Sequence, residues 1–204
     1  MLVFWEQNLV LLAVPKTGST ALMSGLRKHV TMMVTNPPHL KHAPFYRYQR
    51  FLHPYFKQAG GKTMETAAVI RHPVDWLSSW YRYRYRDDLV GKKNSTRGIS
   101  FDEFVLEYAK TEDRKPFAQV GSQYQFVRNS EDEVGVTFLF QYEDQSRFLS
   151  FLKRRLDTEI ELPIKNVSPK LDLSLSTEVE AELRRARPEE FTTWETAGLS
   201  SDEE

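Results

Sequence analysis

Apolar residues fall along this chain in short unbroken runs separated by longer amphipathic stretches. Residues 9–14 form one run of strand length, residues 66–70 a second strand rich in small and β-branched side chains, and residues 134–142 read as a third strand. Between them the spacing changes to that of helices. Residues 21–30 read as a helix, and Pro73, well placed in a first helical turn, opens another expected to reach about Asp88. Ser100-Phe101-Asp102-Glu103 spells a capping box, with Ile99 and Phe104 placed as its hydrophobic staple. Phe101, Phe104, Val105 and Tyr108 then continue as a helical stripe. Phe148, Leu149, Leu152 and Leu156 predict a further helix. Val179, Leu183 and Ala186 mark the inner face of a last long one, headed by a second capping-box pattern at Thr177 to Glu180. Strands alternating with helices predict an α/β fold: a three-layer sandwich around a central, mainly parallel sheet. One domain over residues 1–199 is expected, with the acidic residues 200–204 as a frayed tail.

Composition narrows the function classes. The 28 basic and 28 acidic residues balance, so no global field draws in nucleic acid or a membrane, and any basic site must be local. The chain has no cysteine, which excludes disulfides, a thiol nucleophile and cysteine-ligated metal, and suits a reducing, cytoplasmic setting. The first residues carry neither a basic region nor a long apolar core, so no signal peptide is expected. No run approaches the ~20 apolar residues of a membrane span. Asn94-Ser95-Thr96 and Asn166-Val167-Ser168 match the glycosylation pattern but are not expected to be used, and Pro169 makes the second a poor acceptor.

The chemistry concentrates in two turns. Pro15-Lys16-Thr17-Gly18-Ser19-Thr20 links the first apolar run to a helix. A strand, a tight turn with Gly, hydroxyls and one Lys, then a helix can grip phosphate or sulfate through backbone N–H groups and a compact positive charge. Ser19 or Thr20 would cap the helix. A Walker A loop places its Lys after a second Gly, whereas Lys16 precedes Gly18, so the turn suits one phosphate-like group. The second turn follows residues 66–70. Arg71 lies at the carboxyl end of that strand, where open α/β sheets bind ligands, and Ser79 lies about two helical turns on. The bland alternatives are an incidental Lys in a plain turn, and Arg71 paired with Asp75. His39 and His42 lie between the two turns. Histidine titrates near neutrality and suits a general base; the alternative is that both are ordinary loop residues. Aromatic and basic residues interleave at 46–50 and 81–86. On a helix they read as core aromatics beside solvated arginines, or as an acceptor-binding rim, and nucleic acid is not expected.

Taken together, Pro15-Lys16-Thr17-Gly18-Ser19-Thr20 resembles the 5′-phosphosulfate loop of the sulfotransferases that use 3′-phosphoadenosine 5′-phosphosulfate (PAPS). Arg71-x-Pro73 with Ser79 and Tyr81 resembles their 3′-phosphate motif. The order and spacing of the motifs also fit. Weaker similarity runs through Gly121-Ser122-Gln123, Phe140-Gln141-Tyr142-Glu143 and Asn166-Val167-Ser168, closest to the bacterial and carbohydrate-type branches. Trp76 stands where the family often has a second Arg, so either another cation such as Arg82 substitutes or Trp76 packs in the core.

The resemblance implies a P-loop-like α/β fold. It implies PAPS as donor, PAP as product, no metal requirement, and a small-molecule or carbohydrate acceptor hydroxyl or amine. Lys16, Thr17, Gly18, Ser19 and Thr20 would hold the 5′ end, with Lys16 catalytic at the bridging oxygen, while Arg71 and Ser79 would hold the 3′-phosphate. His42, ahead of His39, would be the base. The competing readings are a small-molecule kinase and a nucleotide-binding module without catalysis.

Overall fold

In the computed structural model, which describes residues 1–160 and 171–199, the long apolar run at 9–14 does two jobs. Leu9–Leu11 forms strand β2, and residues 12–14 carry the chain onward, still buried, to the sheet edge. The strands β1 (Leu2–Phe4), β2, β3 (Met32–Met33), β4 (Glu65–Ile70) and β5 (Phe138–Gln141) form one sheet in the order β3-β1-β2-β4-β5. β2, β4 and β5 pair in parallel, while β1 is antiparallel to both its neighbours. Only β1 therefore runs against the rest, and the sheet is mixed but mostly parallel.

Alternating side chains send the strands' apolar groups to opposite faces. Val3, Val10, Leu12, Ala68, Ile70 and Leu139 pack on one face with Phe45, Tyr48, Phe56 and Phe126. These partners come from α3 (Phe45–Arg47), the π-helical turn Tyr48–Leu52, α4 (His53–Gly60) and α7 (Gln123–Val127). Leu9, Leu11, Ala67, Val69 and Phe140 pack on the other face, against Leu22 of α1 (Ser19–Gly25) and Phe148, Phe151 and Leu152 of α8 (Gln145–Leu156). With both faces covered, the expected three layers are present. A third core lies beyond the sheet edge, where α5 (Pro73–Arg84), α6 (Phe101–Ala109), α9 (Thr177–Ala186) and α10 (Pro188–Leu199) bury Trp76, Leu77, Phe104, Tyr108, Leu183 and Phe191. No helix of the described residues is long and apolar enough to cross a membrane.

Local signals were obeyed unevenly. Ser100 forms both bonds of its capping box with Glu103. The N-cap of α1 is Gly18 rather than Ser19 or Thr20, and no side chain caps it. α9 is also uncapped by a side chain; the Ser176 N–H donates instead to Asp102 Oδ1 at 3.1 Å. α5 stops at Arg84 because Arg86 turns extended (φ −63°, ψ 154°) before a short 3₁₀ turn at Asp87–Leu89. Arg84 is not a solvated arginine. It is buried, and its guanidinium donates to the carbonyls of Pro116, Phe117 and Gln119 at 2.7–2.8 Å, tying α5 to the loop after α6. Asn166-Val167-Ser168 and residues 200–204 lie outside the described residues.

Candidate functional site

The first turn is shaped from within and from below. The Thr17 hydroxyl donates to the Val14 carbonyl at 2.9 Å, and the buried Trp76 indole N–H reaches across from α5 to the Pro15 carbonyl, also at 2.9 Å. Trp76 thus packs in the core and fixes the turn. Lys16 and Gly18 both take left-handed backbone conformations, at φ 70° and 75°. That is cheap for Gly18, whereas Lys16 bears a strain of about 1 kcal/mol. A Cβ on Gly18 would also stand 3.5 Å from the Tyr142 ring. The backbone N–H groups of residues 16–20 meet no acceptor among the described residues. Lys41, on α2 (Pro38–Lys41), donates to the Thr20 hydroxyl at 3.2 Å.

The second turn is clamped by side chains from three other elements. Gln123 on α7 reads both backbone groups of Arg71. Its Oε1 accepts from the Arg71 N–H at 2.8 Å, and its Nε2 donates to the Arg71 carbonyl at 2.7 Å. Gln123 is held in turn by Glu190, whose carboxylate accepts from the Gln123 and Tyr124 N–H groups and from the Tyr108 hydroxyl. Burial raises the Glu190 carboxyl above its usual range, and it raises the Tyr108 hydroxyl strongly. Glu143, just after β5, accepts from the His72 N–H at 2.8 Å and from the Trp194 indole at 3.0 Å. His72 itself packs edge-on against Trp194 and Phe191 at the start of α5. So supported, the Arg71 guanidinium lies 4.8 Å over the Tyr142 ring, with its Nε buried and without a hydrogen-bond partner among the described residues.

The two turns meet electrostatically. The Lys16 ammonium is pushed down to about 8, first by burial and then by the charges of Arg86 and Arg71. It stands 4.2 Å from the Tyr83 ring centre and 5.4 Å from that of Trp80, with no carboxylate paired to it or to Arg71 among the described residues. Ser79 is half-buried one helical turn before Tyr83, on the same side of α5. Arg82 donates to the Ser78 hydroxyl at 3.0 Å instead of facing Lys16. Asp75 is exposed and leaves Arg71 alone.

Of the two histidines, His42 is brought to the first turn and His39 is not. The His42 Nδ1 lies 2.7 Å from the Ala13 carbonyl, which fixes Nδ1 as the protonated nitrogen and leaves Nε2 basic. Burial is the main influence on His42 and pulls its pKa down, so it is neutral at pH 7. His39 is exposed, with only its backbone carbonyl near Arg47. Sequence reasoning missed Lys41, Gln123 as a clamp, Tyr83 as a seat for Lys16, and Arg86. The recurrence of Trp76, Trp80 and Tyr83 at helical spacing is the signal that could have assigned one face of α5 to the first turn.

Compared with family models, with curated proteins and with solved structures, the chain finds no significant match in any of the three.

Proposed function

We propose that this chain is a sulfotransferase, moving a sulfuryl group from PAPS to an acceptor hydroxyl or amine in a P-loop-like fold. One observation carries the reading. Lys16 and Arg71, contributed by different turns, lie close enough to depress the Lys16 pKa, yet neither has a carboxylate partner among the described residues. Cations gathered without counterions favour an anionic ligand. The unpartnered Arg71 Nε and the unused N–H groups of residues 16–20 fit the same ligand.

The donor supplies an activated sulfuryl group, displaced in line with charge spread over its oxygens. Lys16 would balance charge developing at the bridging oxygen, and the amides of Thr17 to Thr20 would orient the group. Arg71 would hold the 3′-phosphate, with Ser79, two helical turns on along α5, as its partner. His42, neutral and basic at Nε2, would take the acceptor's proton. A cysteine-free chain supports a reducing, cytoplasmic setting for that chemistry. The acceptor would be a small molecule or carbohydrate.

Thermal shift with PAP, with ATP–Mg²⁺ and with an oligonucleotide, followed by transfer of labelled sulfate across hydroxyl and amine acceptors, tests the reading. PAP should stabilise preferentially, and Lys16→Ala should abolish transfer without lowering the unfolding midpoint. Stabilisation by ATP–Mg²⁺ alone would favour a kinase and end the proposal. Binding of PAP without transfer to any acceptor would leave a nucleotide-binding module.

A further inference from the structure

Lys16 has a second basic neighbour, nearer in effect than Arg71: among the charges that depress the Lys16 pKa, Arg86 ranks first. The two residues share one aromatic ring. The Lys16 Nζ and the Arg86 Cζ each lie 4.2 Å from the centre of Tyr83, so the charges are no further apart than twice that distance. Arg86 follows the end of α5 and spends one nitrogen on Asp88 at 3.1 Å. That pair is partly exposed and weak. The Arg86 Nε is buried and has no acceptor among the described residues, and the same holds for the indole Nε1 of Trp80, whose ring also lies beneath Lys16. An arginine and a lysine share one ring, and a buried donor of that arginine meets no acceptor among the described residues.

We propose that Arg86 is a second binding cation at the Lys16 turn, and that through it the turn prefers a ligand with two adjacent anionic groups, such as an acid anhydride of phosphate, over a ligand with one. Lys16 offers a point charge and Arg86 a planar fork, which suits two neighbouring oxyanions on one bridge. Tyr83 sets the separation of the two cations, and Asp88 competes with the ligand for Arg86. The inference rests on the reading above only in taking the Lys16 turn as an anion site, and it deepens that reading by assigning the turn its selectivity.

Calorimetry on the full chain with inorganic pyrophosphate and inorganic phosphate, beside PAP, provides the test. Wild-type protein should bind pyrophosphate more tightly than phosphate by roughly tenfold to a hundredfold, the range a charge-assisted hydrogen bond supplies. Arg86→Gln should erase that preference with at most a small change in unfolding midpoint, since Arg86 makes one partly exposed ion pair and one contact with the Tyr83 ring. Arg86→Lys should restore part of it. Asp88→Asn should strengthen pyrophosphate binding, an effect a purely structural Arg86 would not produce. A preference that survives Arg86→Gln, an absent preference in the wild type, or weaker binding in Asp88→Asn overturns the inference. Failure of PAP to bind, with an Arg86-dependent pyrophosphate preference intact, would remove the sulfotransferase reading and leave this one standing.

Discussion

Gln123→Leu separates the clamp on Arg71 from the cation it positions. Gln123 is 1% exposed and makes two hydrogen bonds to one residue's backbone, at 2.8 and 2.7 Å. Leucine keeps the volume and removes both. Each bond contributes about 1 kcal/mol net, and a buried partner left unmade costs ~1–3 kcal/mol. Arg71 is half-buried, so water can reach part of what is freed. The expected loss is about 2–4 kcal/mol, or about 4–16 °C in unfolding midpoint for a chain of this size. Scanning calorimetry reads the stability, and titration with PAP well below the midpoint reads the site. PAP should bind about tenfold or more weakly, because a guanidinium on a loosened backbone must be ordered on binding. Weakened binding of adenosine 5′-phosphosulfate should be smaller, since that ligand lacks the 3′-phosphate. A variant that loses stability yet binds PAP as the wild type does would make Gln123 a packing residue and refute its positioning role. Unchanged stability would refute the hydrogen bonds themselves.

The depressed Lys16 pKa gives two opposite pH dependences. Between about 8 and 10.5 the folded protein binds fewer protons at Lys16 than the unfolded chain, so unliganded stability should rise with pH across that window. PAP affinity should fall over the same range as the ammonium is lost, and calorimetry in buffers of different ionisation enthalpy near pH 8 should register proton uptake on binding. Lys16→Met should abolish all three effects. His42→Ala should lower turnover by roughly 10²–10⁴-fold with donor affinity unchanged, while His39→Ala should leave turnover near native. Trp76→Phe keeps most of the apolar surface but loses the bond to Pro15. It should destabilise the fold by about 1 kcal/mol and weaken PAP binding beyond what that loss alone implies.

Sequence legibility followed range. The parallel half of the sheet was readable because residues 9–14 and 66–70 are continuous apolar runs, buried on both faces. β1 and β3 were not, since strands of three and two residues are too short to show a period. Lys16 and Arg71 were found because each belongs to a local strand-turn-helix unit. Gln123 and Glu143 were missed as clamps, because a side chain that bonds backbone 52 or 71 residues away leaves no trace in spacing. Arg84 and Arg86 looked alike within one basic, aromatic stretch. Three carbonyls inside the fold bury the first, while the break after α5 leaves the second beside Lys16.

The indole of Trp76 belongs to two assemblies at once. Its ring lies among α5, α6 and α9, edge-on to Tyr108, while its N–H holds the carbonyl of Pro15. The helical layer is therefore joined to the turn by this bond as well as by the Lys16 contacts with Trp80 and Tyr83. Leu183 shares that core, so a packing change there has a contiguous route through Trp76 to the peptide that precedes Lys16.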